Sequence, residues 1–241
     1  MNALILAAGL GSRLLPLTRR LPKCLVPIQD KPLLHHWLER LDHPGVDSIL
    51  VNLHHHADQV RTAVASHPMA RRVTLVHEPV LLGTGGTLLA NAPVLEDAPV
   101  LLIHGDNLSD FDLSAFLAAH QARPAHCCLT MMTFDTDAPE QCGIVELDGQ
   151  GVVRAFHEKV ADPPGRLANG AVYILEPEIF DLLAALEGPF IDFSTQVLPR
   201  CVGRIFTFHN NVYHRDIGTP ESLNRARQEF ARAGERHGKS N

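Results

Sequence analysis

Two basic residues suited to holding phosphate, Arg13 and Lys23, and two carboxylates, Asp106 and Asp216, are spread widely along the chain. The first two belong to the run Leu6-Ala7-Ala8-Gly9-Leu10-Gly11-Ser12-Arg13, which continues through Pro16 and Thr18 to Pro22-Lys23. Two glycines after an apolar stretch let the backbone turn tightly and aim several N–H groups at an anion. Arg13 adds a rigid fork of donors for phosphate oxygens, and Lys23 adds a point charge from the far end of the loop. A dinucleotide loop would need glycine where Leu14 stands, and a Walker A loop would need Gly-Lys-Ser/Thr. A bare Gly-x-Gly is an incidental turn; the Arg, Pro, Thr and Pro-Lys at these intervals turn the reading toward a phosphate loop.

Other segments carry chemistry less specifically. His104-Gly105-Asp106-Asn107 ends an apolar run with a carboxylate, the kind of oxygen ligand a hard Mg²⁺ ion takes. Taken alone it is a strand-ending turn. Arg215-Asp216-Ile217-Gly218-Thr219-Pro220 reads by itself as a helix start, in which Thr219 and not Asp216 is the capping residue. Glu78-Pro79-Val80-Leu81-Leu82-Gly83-Thr84-Gly85-Gly86 is a loop that opens a helix, and Glu158-Lys159 an exposed pair at a strand end. His35-His36 and His54-His55-His56 invite a zinc reading. Adjacent histidines point in different directions, however, and no Cys or carboxylate stands at ligand spacing. Cys127-Cys128 falls in an apolar strand and reads as core, and the arginines near the C-terminus (Arg225, Arg227, Arg232) as a solvated helix face.

The elements that must position these residues alternate. Ala3–Ala8 is a continuous apolar run, as expected of a strand buried on both faces, and Ser48–Leu53, Val73–His77 and Pro99–His104 share that character. Between them the spacing predicts helices: Leu33, Leu34, Trp37, Leu38 and Leu41 after Pro32 at the first helical position, then Asp58–Ser66, Thr84–Asn91 and Asp112–His120. Such alternation implies right-handed crossovers and a mainly parallel sheet with helices on both faces, an α/β fold. Further on, Gly143–Leu147 and Val152–His157 flank the turn signal Asp148-Gly149-Gln150-Gly151. Ala171–Leu175, Arg204–Phe208 and Asn211–His214 read as strands, and Pro177–Leu186 and Thr219–Ala233 as helices. One domain over 1–241 is expected, with a first part over 1–110 and a second over 111–225. Residues 226–241 would be a helix end and a polar tail.

With 21 basic and 27 acidic residues the formal charge is −6, which argues against a nucleic-acid partner needing a basic face. The odd number of cysteines, without a Cys-x-x-Cys pair, reads as reduced thiols in a cytoplasmic protein. The start of the chain lacks the basic flank and cleavage site of a signal peptide, and no apolar run is long enough to span a bilayer. No membrane association is expected, and a homo-oligomer is left open.

The stretch Leu6–Pro32, LAAGLGSRLLPLTRRLPKCLVPIQDKP, resembles the signature of the sugar-phosphate nucleotidyltransferases. Those enzymes include guanylyltransferases acting on mannose and heptose 1-phosphates and uridylyl- and thymidylyltransferases acting on glucose 1-phosphate. The resemblance implies a glycosyltransferase-A-like nucleotidyltransferase fold with a small antiparallel sugar-binding portion, 1–110 mainly nucleotide-binding and 111–225 mainly sugar-phosphate-binding, Mg²⁺ as cofactor, and an NTP and a sugar 1-phosphate as partners. By it, Leu6, Ala8, Gly9, Gly11 and Arg13 would hold the NTP, and Lys23 the α-phosphate region. Glu78, Gly83 and Thr84 would line the nucleobase, and Asp106 and Asp216 would hold the metal. Glu158 and Lys159 resemble the family's Glu-Lys-Pro with Val160 in place of proline, and would take the sugar hydroxyls and phosphate. Asn169 and Gly143 would also serve the sugar. The resemblance implies GTP as nucleotide and mannose or manno-heptose 1-phosphate as acceptor, with a uridylyltransferase or a non-catalytic regulatory subunit as alternatives.

Overall fold

The computed structural model describes residues 1–237, and the side chains of residues 1–230. The tail at 238–241 and the side chain of Arg232 lie outside the described residues. Strand β1 (Asn2–Leu6) feeds the glycine-containing loop, after which two short strands, β2 (Pro27–Ile28) and β3 (Lys31–Pro32), precede helix α1 (Leu33–Arg40). The alternation continues through β4 (Ser48–Leu53), α2 (Ala57–Ala65), β5 (Val73–His77), α3 (Gly83–Ala90), α4 (Ala92–Leu95) and β6 (Val100–His104). Then come β7 (Asn107–Asp110), α5 (Leu113–Gln121), β8 (Leu129–Asp135), β9 (Gly143–Leu147), β10 (Val153–Glu158) and β11 (Leu167–Leu175). The chain closes with α6 (Glu178–Ala184), α7 (Leu198–Cys201), β12 (Ile205–His209), β13 (Tyr213–Asp216) and α8 (Pro220–His237).

The main sheet runs β5-β4-β1-β6-β11-β9-β10, parallel from β5 to β6 and antiparallel from there on. Strand β8 joins β11 antiparallel and β12 parallel. This is the mixed, mainly parallel α/β sheet expected from the alternation. Period-two alternation divides β1 between two cores, Ala3 and Ile5 facing one and Leu4 the other. Among the described residues no helix is long and apolar enough to cross a membrane.

Two registers fix the site. Leu6 lies opposite Asn52 on one side and His104 on the other, so β1, β4 and β6 end level and their following loops emerge at one edge. Ligands of open α/β sheets sit at that edge. Strand β7 pairs antiparallel with β13, Asn107 opposite Asp216, which carries the end of the chain back to the turn after β6. Trp37 locks α1 to this pair, its indole N–H donating to the Asn107 carbonyl at 2.8 Å.

Some boundaries differ from the sequence reading. Pro32 precedes α1 as its cap residue and pairs with Pro27; its ring has no N–H to place in the first turn, so either position is sterically open. Strand β11 begins at Leu167, well before Ala171, since Leu167–Asn169 pair with β8. Cys127 and Cys128 are buried as core but lie just ahead of β8. Thr219 caps α8 as read, accepting from Ser222 N–H at 3.1 Å.

Away from the site, His120 of α5 is buried between Thr130 (2.8 Å) and Glu176 (2.9 Å). Burial first, then the neighbouring Arg123, pulls its pKa below 6.5, and Glu176 does not offset them. A histidine depressed in the folded state takes up its proton more readily when unfolded. Its contribution is therefore complete above about pH 6.5 and is lost as pH falls toward the folded value. Thermal unfolding followed from pH 7.5 to 5 should show Tm falling, and His120→Gln should flatten that fall; an unchanged slope in the variant would contradict it.

Candidate active site

A cavity of about 290 Å³ opens at the sheet edge where β1 and β6 end. Leu6, Ala8, Gly9, Gly11, Arg13, Lys23, Glu78, Gly83, Thr84 and Asp106, the nucleotide-side residues read from the sequence, all line it. Gly11 takes a left-handed φ of 62°, and a Cβ there would stand 2.8 Å from the Thr18 methyl. Thr18 returns its hydroxyl to the Gly11 carbonyl at 2.8 Å, closing the loop.

At the cavity's inner wall Lys23 is buried, only 6% exposed. Its Nζ donates to Asp106 Oδ2 at 2.8 Å and to Asp216 Oδ1 at 3.0 Å. Arg13 reaches the other oxygen of Asp216 at 3.4 Å. The four charged residues that opened the sequence reading therefore form one cluster. Burial alone lowers the Lys23 pKa, but the two carboxylates outweigh it and hold the ammonium above its ordinary value. Burial likewise pushes the Asp106 carboxyl up, and Lys23 holds it below the usual carboxylate range. Cys24, the adjacent thiol on the cavity wall, is pushed up to about 12 by burial, which removes it as a nucleophile at neutral pH.

A second network holds the loop from behind. Asn52 is 3% exposed and its Oδ1 accepts from the backbone N–H of Ala7 at 2.6 Å and of Ala8 at 3.2 Å. Its amide donates to Glu78 Oε1 at 3.0 Å, and Thr87 donates to the same oxygen at 2.6 Å. Glu78 is thus a buried carboxylate with one oxygen fixed inside the protein. The glycine-rich segment that starts α3 is clamped by Ile191, whose carbonyl accepts from Gly85 N–H at 2.8 Å and Gly86 N–H at 3.2 Å.

The sugar-side residues gather on β9–β11 and outside this cavity. Gly143 pairs with Glu158 across the β9–β10 hairpin, and a Cβ would lie 2.6 Å from Glu158 Oε2 and 2.7 Å from the Phe156 ring. The hairpin itself therefore uses the missing side chain. Lys159 pairs with Glu158 at 3.3 Å. Asn169 is engaged within the protein: its amide donates to the Tyr173 hydroxyl at 2.7 Å, and its oxygen accepts from Ala171 N–H at 2.9 Å.

A family model described as nucleotidyl transferase matches residues 2–233. The chain belongs to that family. Among its relatives in the nucleotidyl transferase family is the D-glycero-alpha-D-manno-heptose 1-phosphate guanylyltransferase of Campylobacter jejuni. It is 30% identical over 222 residues, covering 92% of this chain and 96% of that one. The mannose-1-phosphate guanylyltransferase of Mycobacterium tuberculosis is 28% identical over 96% of this chain, which spans 65% of that longer protein. Among solved structures, HddC from Yersinia pseudotuberculosis complexed with GMP-PN superposes with a TM-score of 0.78 at 27% identity, covering 95% of this chain and 99% of that one.

Three lining residues, Asn52, Thr87 and Phe190, carry no motif in the sequence, while His104 and Gly218 stand in the runs around Asp106 and Asp216 without a role of their own there. Asn52 shows one signal, a lone amide inside the apolar run Ile49-Leu50-Val51-Asn52-Leu53. Phe190 is 53% exposed at the cavity and reaches it from a loop remote in sequence. The tempting histidines serve the backbone: His35, His36, His54 and His56 each place a ring nitrogen on a main-chain carbonyl, at 3.0, 3.1, 2.7 and 3.1 Å.

Asn52→Ala leaves two backbone N–H groups and part of a carboxylate unpaired in a buried site. Urea denaturation should register a loss of about 2–3 kcal/mol; a loss below about 0.5 kcal/mol, the ordinary scatter of surface substitutions, would mean the network does not support the loop.

Proposed function

We propose that this protein transfers a nucleoside monophosphate from an NTP, GTP in preference, to a sugar 1-phosphate of the mannose or manno-heptose type, releasing pyrophosphate. The observation that carries the reading is the Lys23 ammonium held between Asp106 and Asp216 beside a loop of backbone N–H groups. That arrangement supplies donors for phosphate oxygens and acceptors for a cation within one small volume.

The family generally uses a divalent cation, and the donor set fits Mg²⁺. Asp106 and Asp216 are hard oxygen ligands whose side chains stay 43% and 46% exposed, so they can be approached from the cavity. Two carboxylates with substrate phosphates and water are a usual Mg²⁺ complement. Among the described residues no cluster of three or more His, Cys, Asp or Glu competes with this pair. When bound, Mg²⁺ neutralises charge on the reacting phosphates as a Lewis acid.

The protein's own groups do the rest. The Gly9–Arg13 backbone and the Arg13 guanidinium bind the NTP phosphates. Lys23 has three N–H donors and spends two on the aspartates, which leaves one for an α-phosphate oxygen. An oxygen of the sugar phosphate bonds to the α-phosphorus as the bond from that phosphorus to the bridging oxygen breaks, and pyrophosphate departs in line. Positioning and charge stabilisation suffice for such a transfer, and no protein nucleophile takes part.

Two observations support the substrate choice. Glu78 lies in the cavity wall with Oε1 already taken by Asn52 and Thr87, which leaves its second oxygen as an acceptor for one of guanine's adjacent N1–H and exocyclic amine donors. The relatives from Campylobacter and Mycobacterium carry guanylyltransferase names, for heptose and mannose 1-phosphates respectively.

The test is pyrophosphate release with Mg²⁺, each of GTP, UTP, dTTP, CTP and ATP, and mannose, glucose, N-acetylhexosamine and manno-heptose 1-phosphates. Release is expected with GTP and a manno-configured acceptor, and should vanish without the sugar phosphate. Lys23→Ala or Asp216→Asn should lower kcat about 10²–10³-fold while the protein stays folded. Near-normal turnover in either variant would overturn the assignment, and a folded protein silent on every pair would favour a regulatory subunit.

A further inference from the structure

One buried group at the centre of the site has no hydrogen-bond partner among the described residues. His104 is the last residue of β6. On one side it stands in register with Leu6, the residue that leads into the phosphate loop. On the other, the antiparallel pairing of Ile103 with Val172 sets it beside Ala171 of β11. His104 thus occupies the seam between the nucleotide strands and the sugar-side strands.

The side chain lines the same cavity as Lys23 and Asp106, yet its Nε2 is buried without a hydrogen-bond partner among the described residues. The Tyr173 ring of β11 approaches it edge-on, 6.2 Å between centroids. Buried polar nitrogens are nearly always paired, so one left unpaired in a side chain that lines a cavity points to a ligand atom completing the bond. The NTP phosphates already have the loop N–H groups, Arg13 and Lys23 as donors. Gly143, Glu158, Lys159 and Asn169, the residues read from the sequence for the acceptor, do not line this cavity.

We propose that His104 Nε2 is a binding group for the sugar 1-phosphate, hydrogen-bonded to one of its oxygens where it meets the NTP. A neutral imidazole can donate through Nε2 to a phosphate oxygen, or pair with a hydroxyl in either sense. The assignment rests on the transferase reading above and adds a residue to it. It makes His104 the contact that aligns the acceptor across the seam, separate from the groups that hold the nucleotide.

The experiment compares wild type, His104→Leu and His104→Gln as full-length proteins, with steady-state kinetics on the best NTP and sugar pair and with thermal unfolding of each free protein. His104→Leu should raise KM for the sugar 1-phosphate about tenfold, the effect of one lost hydrogen bond, and leave KM for the NTP within about twofold. Its Tm should equal or exceed the wild-type value, because an unpaired buried nitrogen has been removed. His104→Gln restores a donor and should recover most of the sugar affinity, and it supplies the reading if the leucine variant folds poorly. An unchanged sugar KM in both variants, or an NTP KM raised as much as the sugar KM, with wild type active, overturns the His104 assignment alone. A wild-type protein inactive on every pair overturns the function and this assignment with it.

Discussion

The site is organised around one buried ammonium. A lysine this far from water is tolerated only when its charge is answered, and Lys23 is answered by carboxylates 83 and 193 residues away. That requirement ties three distant parts of the chain to a single point. β1 must end level with β6 so that the loop bearing Lys23 meets Asp106, and β13 must return along β7 so that Asp216 meets both. The helices serve these registers; α1, for instance, anchors β7 through Trp37. Two carboxylates this close would repel each other without the cation between them. Lys23 therefore offsets their repulsion and holds the pair together.

The polar groups around this centre divide by how completely they are satisfied. Asn52, Thr87 and the inner oxygen of Glu78 are fully occupied with one another and with the loop backbone, which gives a rigid rear wall. Arg13 is 62% exposed and bound only at 3.4 Å to Asp216, so it is free to turn toward an incoming phosphate. A wall of satisfied polar groups and one loosely held guanidinium thus line the same cavity. This is the distribution expected where catalysis depends on positioning more than on covalent chemistry.

Much of this could be read from the sequence because it is local. The run Ala3–Ala8 has the two-sided apolar character of a buried parallel strand, and the glycines, Arg13 and Lys23 follow it closely enough to be read as one loop. Asp106 and Asp216 were visible as carboxylates at the ends of elements, but only the β7–β13 pairing brings them within reach of one cation, and β7 has no strong strand signature of its own. Asn52 is not singled out by the sequence: its one signal is an amide in an apolar strand, and its partners depend on where β5 and α3 lie. The sugar side was least legible. Gly143 and Asn169 carry the expected residue types, yet the first makes room for its hairpin partner and the second stabilises the left-handed turn at Ala171. A residue type records what a side chain can do; its neighbours across strands decide whether it does so for a ligand or for the fold.

The central claim is that Lys23 and the two aspartates act as one electrostatic unit. A double-mutant cycle measures it directly: urea denaturation of wild type, Lys23→Met, Asp106→Asn and the double variant. If the ammonium holds the carboxylates together, Lys23→Met alone leaves two negative charges facing each other, and adding Asp106→Asn recovers stability. The coupling energy should then be about 1 kcal/mol or more. Additivity of the two single effects within about 0.5 kcal/mol would contradict the account.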